Sequence, residues 1–259
     1  MRAGGQPLLP ESSGCVIDLH FHCLPGIDDG PPGWDEALAL CRAAAADGVE
    51  TIVATPHVLR EDWINDDPSA RDQLILKLNT LLGGTPAVLP GCEFWFAADI
   101  VELVEKGAAG PLTSLNRSRY LLVDFAPGLV PASAGPAFHE LALLNVVPVV
   151  AHPERNLVFA RDPERLESLV SRGAVAQVTA GSLLGEFGKL AQAAAEEFFK
   201  RGLVHVVASD AHSLEVRPPR LAAAREKVRK AWGAKAEAGL FEGNPRAIVR
   251  NEPLPWGLE

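Results

Sequence analysis

The sequence predicts an α/β fold of the TIM-like barrel type, one β/α unit short of eight, with function at the carboxyl ends of the strands. Short apolar runs alternate with amphipathic segments seven times, at about 30-residue spacing. The runs are apolar on both faces, the mark of parallel strands with helices outside. No Ser/Gly linker or break in composition divides the 259 residues. Residues 15–259 therefore read as a single barrel domain. Residues 1–14, "MRAGGQPLLPESSG", read as a disordered arm or cloning remnant, because they lack an apolar core of signal-peptide length. A doubly wound open sheet is the alternative, and it too places function where strands end.

The units run in order. "CVIDL" precedes the amphipathic "WDEALALCRAAAADG", which stops at Gly48 as helices often stop on glycine. "ETIVAT" precedes "SARDQLILKLNTLLGG", and "AVLPGCEF" precedes "AADIVELVEKG". "RYLLVDF" precedes "SAGPAFHELALLN", and "VVPVVAH" precedes "DPERLESLVSRG". "AVAQVTA" precedes "EFGKLAQAAAEEFFKRG", and "VHVVAS" precedes "PPRLAAAREKVRKAWG" with a last helical piece near "NPRAIVRN".

Composition narrows the function. Lys and Arg number 24 against 33 Asp and Glu, a formal charge of −9. An acidic chain without a basic cluster predicts no nucleic-acid partner and no anionic-lipid partner. No run reaches the roughly 18–20 apolar residues of a membrane helix, so no membrane insertion is expected. Cys15, Cys23, Cys41 and Cys92 form no CxxC pair, which suits a reducing, cytoplasmic setting.

The strand ends carry the chemistry. Strand 1 ends in His20 and His22, followed by Asp28 and Asp29; strand 2 in His57; strand 3 in Glu93; strand 4 in Asp124. Strand 5 ends in "AHPER", with His152, Glu154 and Arg155, and strand 7 in Asp210 and His212. Strict alternation sends His20 and His22 to one side of their strand. Five of the seven histidines fall at strand ends; His139 in a helix and His205 within a strand are weak candidates. His, Asp and Glu without thiolates suit Zn, Mn or Fe. Nine candidate ligands (His20, His22, Asp29, His57, Glu93, Asp124, His152, Asp210, His212) exceed one coordination sphere. They suggest two to three ions sharing a carboxylate, a recurring device for hydrolysing phosphate esters. The bland readings are kept for the neighbours: Asp28 as a turn former, Glu154 as a supporting or surface group, Cys23 and Cys92 as small packing residues, and the hydroxyls of "TAGS" as structural.

The stretches "IDLHFHCLPGIDDG", "ATPH", "GCEFW", "AHPERN", "QVTAGSLLG" and "SDAH" resemble the PHP superfamily of metal-dependent phosphoesterases. They are most similar to its bacterial tyrosine phosphatases of capsule and exopolysaccharide biosynthesis. The resemblance runs in order from about residue 15 to 217. It implies a distorted (β/α)7 barrel, the PHP fold, with up to three divalent ions, Mn first and Fe, Co or Zn as others. It assigns His20, His22, Glu93 and Asp210 to one ion. Glu93 bridges to a second with Asp124 and His152, and Asp29, His57 and His212 hold a third. Arg155 is the implied phosphate-binding catalytic residue. The implied substrate is the phosphotyrosine tail of a kinase of polysaccharide export. Two departures stand out: relatives usually carry Glu at Asp124 and tend to carry Asn at Thr179. A small-molecule phosphatase, as for histidinol phosphate, and a metal-binding regulatory module with little activity are the alternatives. There is no C-x5-R loop for a phosphocysteine, since "CRAAAAD" falls in a helix.

Overall fold

The computed structural model describes residues 14–107 and 110–257; the arm expected over 1–14 lies, Gly14 apart, outside the described residues. β1 (Val16–Phe21) leads through the Asp28-Asp29 loop to α1 (Trp34–Ala46). The second expected strand is divided into β2 (Val49–Ala54) and β3 (His57–Val58), with Thr55-Pro56 between them. α2 (Pro68–Leu82) starts on Asp67, which accepts the Ser69 N–H, and stops on left-handed Gly83. The third strand is divided too, into β4 (Ala87–Pro90) and β5 (Glu93–Trp95), around Gly91-Cys92. A Cβ on Gly91 would lie 2.8 Å from Val53 Cγ1, so only glycine fits where these strands converge.

α3 (Ile100–Glu105), β6 (Tyr120–Asp124), α4 (Ala134–Leu143) and β7 (Val147–Ala151) follow. Two short helices, α5 (Leu157–Arg161) and, further on, α7 (Ala180–Leu184), arise in segments with no helical period in the sequence. α6 (Pro163–Val170), β8 (Val175–Thr179), α8 (Gly188–Lys200) and β9 (Val206–Ala208) keep the alternation. α9 (Leu221–Ala238) is interrupted at Gly233 (φ 88°), where the sequence pattern also stops, and α10 (Asn244–Val249) follows.

Every strand pair is parallel, in two sheets ordered β1-β2-β4 and β3-β5-β6-β7-β8-β9. The first division falls at Pro56, which has no N–H to donate; past it, as past Gly91-Cys92, the chain passes from the first sheet to the second. Beyond β9 the chain turns back to β1. Asp210 N–H donates to His20 O and His22 N–H to Ala211 O, both at 2.9 Å.

The buried apolar side chains form two clusters. One fills the space between strands and helices and includes Phe21, Phe94, Phe138, Phe159 and Phe198. The other lines the strands' opposite face with Ile17, Leu19, Tyr120, Leu122, Val149, Val175 and Val206, and Ile248 and Val249 of α10 cover it. Simple alternation along β1 would set His20 opposite Leu19. Asp18 pairs with Ile52 and Phe21 with Ala54, so β1 spends one residue more than β2. This bulge lets Leu19 and His20 face the same interior.

Candidate metal centre

The expected ligands arrive from separate strand ends and meet. His20 Nε2 lies 3.2 Å from His22 Nε2, 3.4 Å from Glu93 Oε1 and 3.3 Å from Asp210 Oδ1. Glu93, first residue of β5, is the hub: Oε1 lies 3.0 Å from His152 Nε2 and Oε2 lies 2.8 Å from His57 Nδ1. Asp29 Oδ1 lies 3.2 Å from His57 Nε2 and 3.1 Å from His212 Nε2. Asp124 approaches His152 Nδ1 at 3.6 Å. Two of these residues hold left-handed backbone, His152 at φ 30° and Asp210 at φ 54°. Such conformations cost on the order of 1–3 kcal/mol each and gather at functional sites. Here they turn the chain sharply as β7 and β9 end. His139, on α4, is exposed and far in sequence from any of these ends, and His205 lies before β9, at the strands' other end.

In three of the centre's five histidines the outer nitrogen has its own partner. His22 Nδ1 donates to Asp28 Oδ2 at 2.8 Å, His20 Nδ1 to Gln177 Oε1 at 2.9 Å, and His212 Nδ1 to the Asp210 carbonyl at 2.9 Å. With Nδ1 engaged, the Nε2 lone pair is left for the centre. Asp28 therefore does more than form a turn: its carboxylate also accepts from the Gly30 and His57 N–H groups. Glu154, read as a supporting or surface group, is buried and accepts the Thr179 N–H at 2.9 Å. Cys23 and Cys92 pack in the outer core, and all four cysteines are free and buried.

The charges set one another. Burial opposes it, yet Glu93 and Asp210 push His20 up to about 9. Against the same burial, Glu93 and Asp29 push His57 up to about 10. His212 goes the other way, to about 4, because burial and neighbouring His22 disfavour its charge. Asp210 is held well below the usual carboxylate range by His20, His212 and Arg155 despite burial. Burial, with Glu93 nearby, raises Asp124 although His152 opposes it.

The donor set fits divalent cations. Three groups bring one ligand atom each to within 4.8 Å of one another: His22, Asp29, His57 and His212; His20, Glu93 and His152; and His20, His22 and Asp210. Glu93 Oε2 and His212 Nε2 are buried without a hydrogen bond, despite their close neighbours at 2.8 and 3.1 Å. Lone pairs packed this closely but off hydrogen-bond geometry suit a shared cation, and all-N/O donors suit Mn, Fe, Co or Zn.

Above the centre opens a cleft of about 280 Å³, lined by ligand-type residues, by Trp95, Phe125 and Pro127, and by three arginines. Arg155 pairs with Asp210 and lies over the Phe187 ring at 4.3 Å. Arg217 donates to Asp29 Oδ2 at 2.9 Å and Asp210 Oδ2 at 3.3 Å. Arg60 Nη1 lies 2.9 Å from His57 Nε2. The sequence reading named only Arg155. Arg217 lies in a loop with no period to mark it, whereas Gln177 could have been found, two residues past Val175 on the interior face of β8.

Fold and site together define an α/β protein of parallel strands with a candidate polynuclear metal centre at their carboxyl ends. The chain belongs to the family described as capsular polysaccharide synthesis, CpsB/CapC, which matches residues 16–250. It is 35% identical to the tyrosine-protein phosphatase YwqE of Bacillus subtilis over 243 residues, covering 92% of this chain and 93% of that one. It is 30% identical to the tyrosine-protein phosphatase CpsB of Streptococcus pneumoniae over 244 residues, covering 92% and 99%. A crystal structure from work on YwqE and CpsB, described as metal-dependent tyrosine phosphatases, superposes with a TM-score of 0.87 at 35% identity, over 92% of this chain and 96% of that one. An organophosphorus hydrolase variant from Deinococcus radiodurans, at 14% identity and a TM-score of 0.57, shares the fold alone. Among the described residues no helix is long and apolar enough to cross a membrane.

Proposed function

We propose that this chain is a metal-dependent protein-tyrosine phosphatase, acting in the cytoplasm on a tyrosine kinase of capsular or exopolysaccharide synthesis. One observation carries the reading: ligand-type side chains from six strand ends converge beneath a cleft that also receives Arg155 and Arg217. The names of the relatives support the phosphotyrosine substrate. The parallel sheets and the contact between β1 and the segment after β9 support closure into a distorted (β/α)7 barrel forming one domain.

His20, His22, Glu93 and Asp210 would hold one ion; Glu93, Asp124 and His152 a second; Asp29, His57 and His212 a third. Such ions, Mn first and Fe, Co or Zn as others, supply Lewis acidity toward phosphoryl oxygens and a water of lowered pKa. Arg155 and Arg217 present guanidinium donors to the phosphoryl oxygens, where charge grows during transfer. Asp210 and Asp29 hold those guanidinium groups in place before substrate arrives. Asp28 and Gln177 fix which imidazole nitrogen faces inward.

The test is hydrolysis of p-nitrophenyl phosphate and a phosphotyrosine peptide with added Mn, expected to vanish with chelator. Arg155→Ala should lower kcat by about 10²–10³ with metal content intact, and Arg155→Lys should restore only part of it. Near-native turnover in Arg155→Ala would remove that residue from the mechanism. Faster turnover of histidinol phosphate than of the peptide would move the substrate to small molecules.

A further inference from the structure

We propose that Trp95, with the Arg60 guanidinium stacked on it, is the wall that receives the leaving group's aromatic ring and selects aryl over alkyl phosphates. The inference rests on the phosphatase reading above. Glu93 and Trp95 lie two residues apart on β5, so they share a face: the first enters the metal centre and the second lines the cleft above it. Phe125 and Pro127 line the cleft as well, but Phe125 is buried while Trp95 is only half-buried.

Arg60 is a fixed part of this wall. Its guanidinium carbon lies 4.6 Å from the Trp95 ring centroid and 5.3 Å from that of Trp63. Trp63 in turn stacks on His57, with centroids 5.1 Å apart. Arg60 and Trp63 face each other across a tight hairpin, with Arg60 N–H donating to Trp63 O at 3.1 Å and Trp63 N–H to Arg60 O at 2.9 Å. The Asn65 amide ties the hairpin down by donating to Ile27 O at 2.8 Å and His57 O at 2.9 Å. The result is a flat, cationic and aromatic surface beside a highly charged floor. A phosphoryl group held at that floor directs its ester substituent up the cleft, past this wall. An aryl ring can lie flat against an indole or a guanidinium plane; a short alkyl chain has no face to offer.

Binding of phenylphosphonate and methylphosphonate, which share the charged head and differ in the ring, tests the wall. Calorimetry would use the Mn-loaded full chain, in wild type, Trp95→Ala and Trp95→Phe, with metal content measured for each. Trp95→Ala should weaken phenylphosphonate roughly 5- to 20-fold and leave methylphosphonate within about twofold, and Trp95→Phe should restore most of the loss. Trp95→Leu, which keeps bulk without an aromatic face, should behave as Ala does and serves if Ala fails to fold. Equal weakening of both phosphonates, or no weakening of the phenyl compound, would overturn the proposal. A metal-loaded wild type that binds neither phosphonate and hydrolyses no aryl phosphate would overturn the phosphatase reading itself, before any variant is made.

Discussion

Two histidines, half-buried His205 and fully buried His20, sit at opposite ends of the strands and titrate in opposite directions. His205, before β9, has no carboxylate beside it; its Nδ1 accepts the Ala176 N–H at 3.2 Å, and burial lowers its pKa. His20, where β1 ends, is pushed up to about 9 because Glu93 and Asp210 outweigh burial. The surroundings follow the same division. At the His205 end the interior is apolar and covered by Ile248 and Val249; at the His20 end it holds Gln177, Glu93, Asp124 and Asp210. The same strand faces serve both, since Tyr120 and Leu122 precede Asp124 on β6 and Val175 precedes Gln177 on β8. Two residues of strand, roughly 7 Å, separate packing from charge. Burial lowers the pKa of His205, and Glu93 with Asp210 reverses the sign at His20, whereas at His212 burial and the neighbouring His22 prevail over Asp210 and Asp29.

If the two ends are separable, variants should divide cleanly. Glu93→Ala, at the hub of the charged end, should give the largest effect: activity lower by at least about 10³ and a reduced metal content. Elemental analysis showing a full complement of ions would remove Glu93 as a shared ligand. Leu122→Ala, in the apolar half, should cost about 2–5 kcal/mol of stability and leave metal stoichiometry unchanged below the melting transition. Loss of metal in that folded variant would mean the two halves are coupled.

Smaller effects refine the contrast. Asp28→Ala should weaken metal binding about 10- to 100-fold, whereas Asp28→Asn, which still accepts from His22 Nδ1, should lose less. Competition with a chelator measures both; equal losses would show that charge rather than orientation is what Asp28 supplies. The smallest effect belongs to His205→Asn. The folded state keeps His205 neutral below its ordinary pKa of about 6.5, while the unfolded chain takes up the proton. Stability from this group is therefore present above about pH 6.5 and is lost as pH falls toward the lower folded pKa. Asn cannot take the proton, so the Tm of the variant relative to wild type should rise between pH 7 and 5. A constant difference would mean that His205 stays accessible to protons in the fold.

Residue type and position along the chain made much of this readable. Ligand-type residues after His20, at His57, at Glu93, at Asp124 and at Asp210 follow apolar runs of strand length, and a parallel α/β fold brings such ends together whatever the details. The divided strands were not readable. "AVLPGCEF" is one apolar run, and only the approach of Val53 to Gly91 separates it into β4 and β5. Asp28 looked like a turn residue because its partner, the outer nitrogen of His22, is placed by the loop's path.

By itself the sequence determined the seven-unit alternation, the residues that end each strand and the absence of thiolates among them, because side-chain chemistry and periodicity are local properties. Tertiary structure alone decided the bulge that turns both Leu19 and His20 inward, the grouping of ligands around Glu93, the nitrogen each imidazole presents, and the arrival of Arg60 and Arg217 at the cleft. Those are distances between residues far apart in the chain, such as the 157 positions separating His20 from Gln177. They are set by strand register and loop path, which no local pattern records.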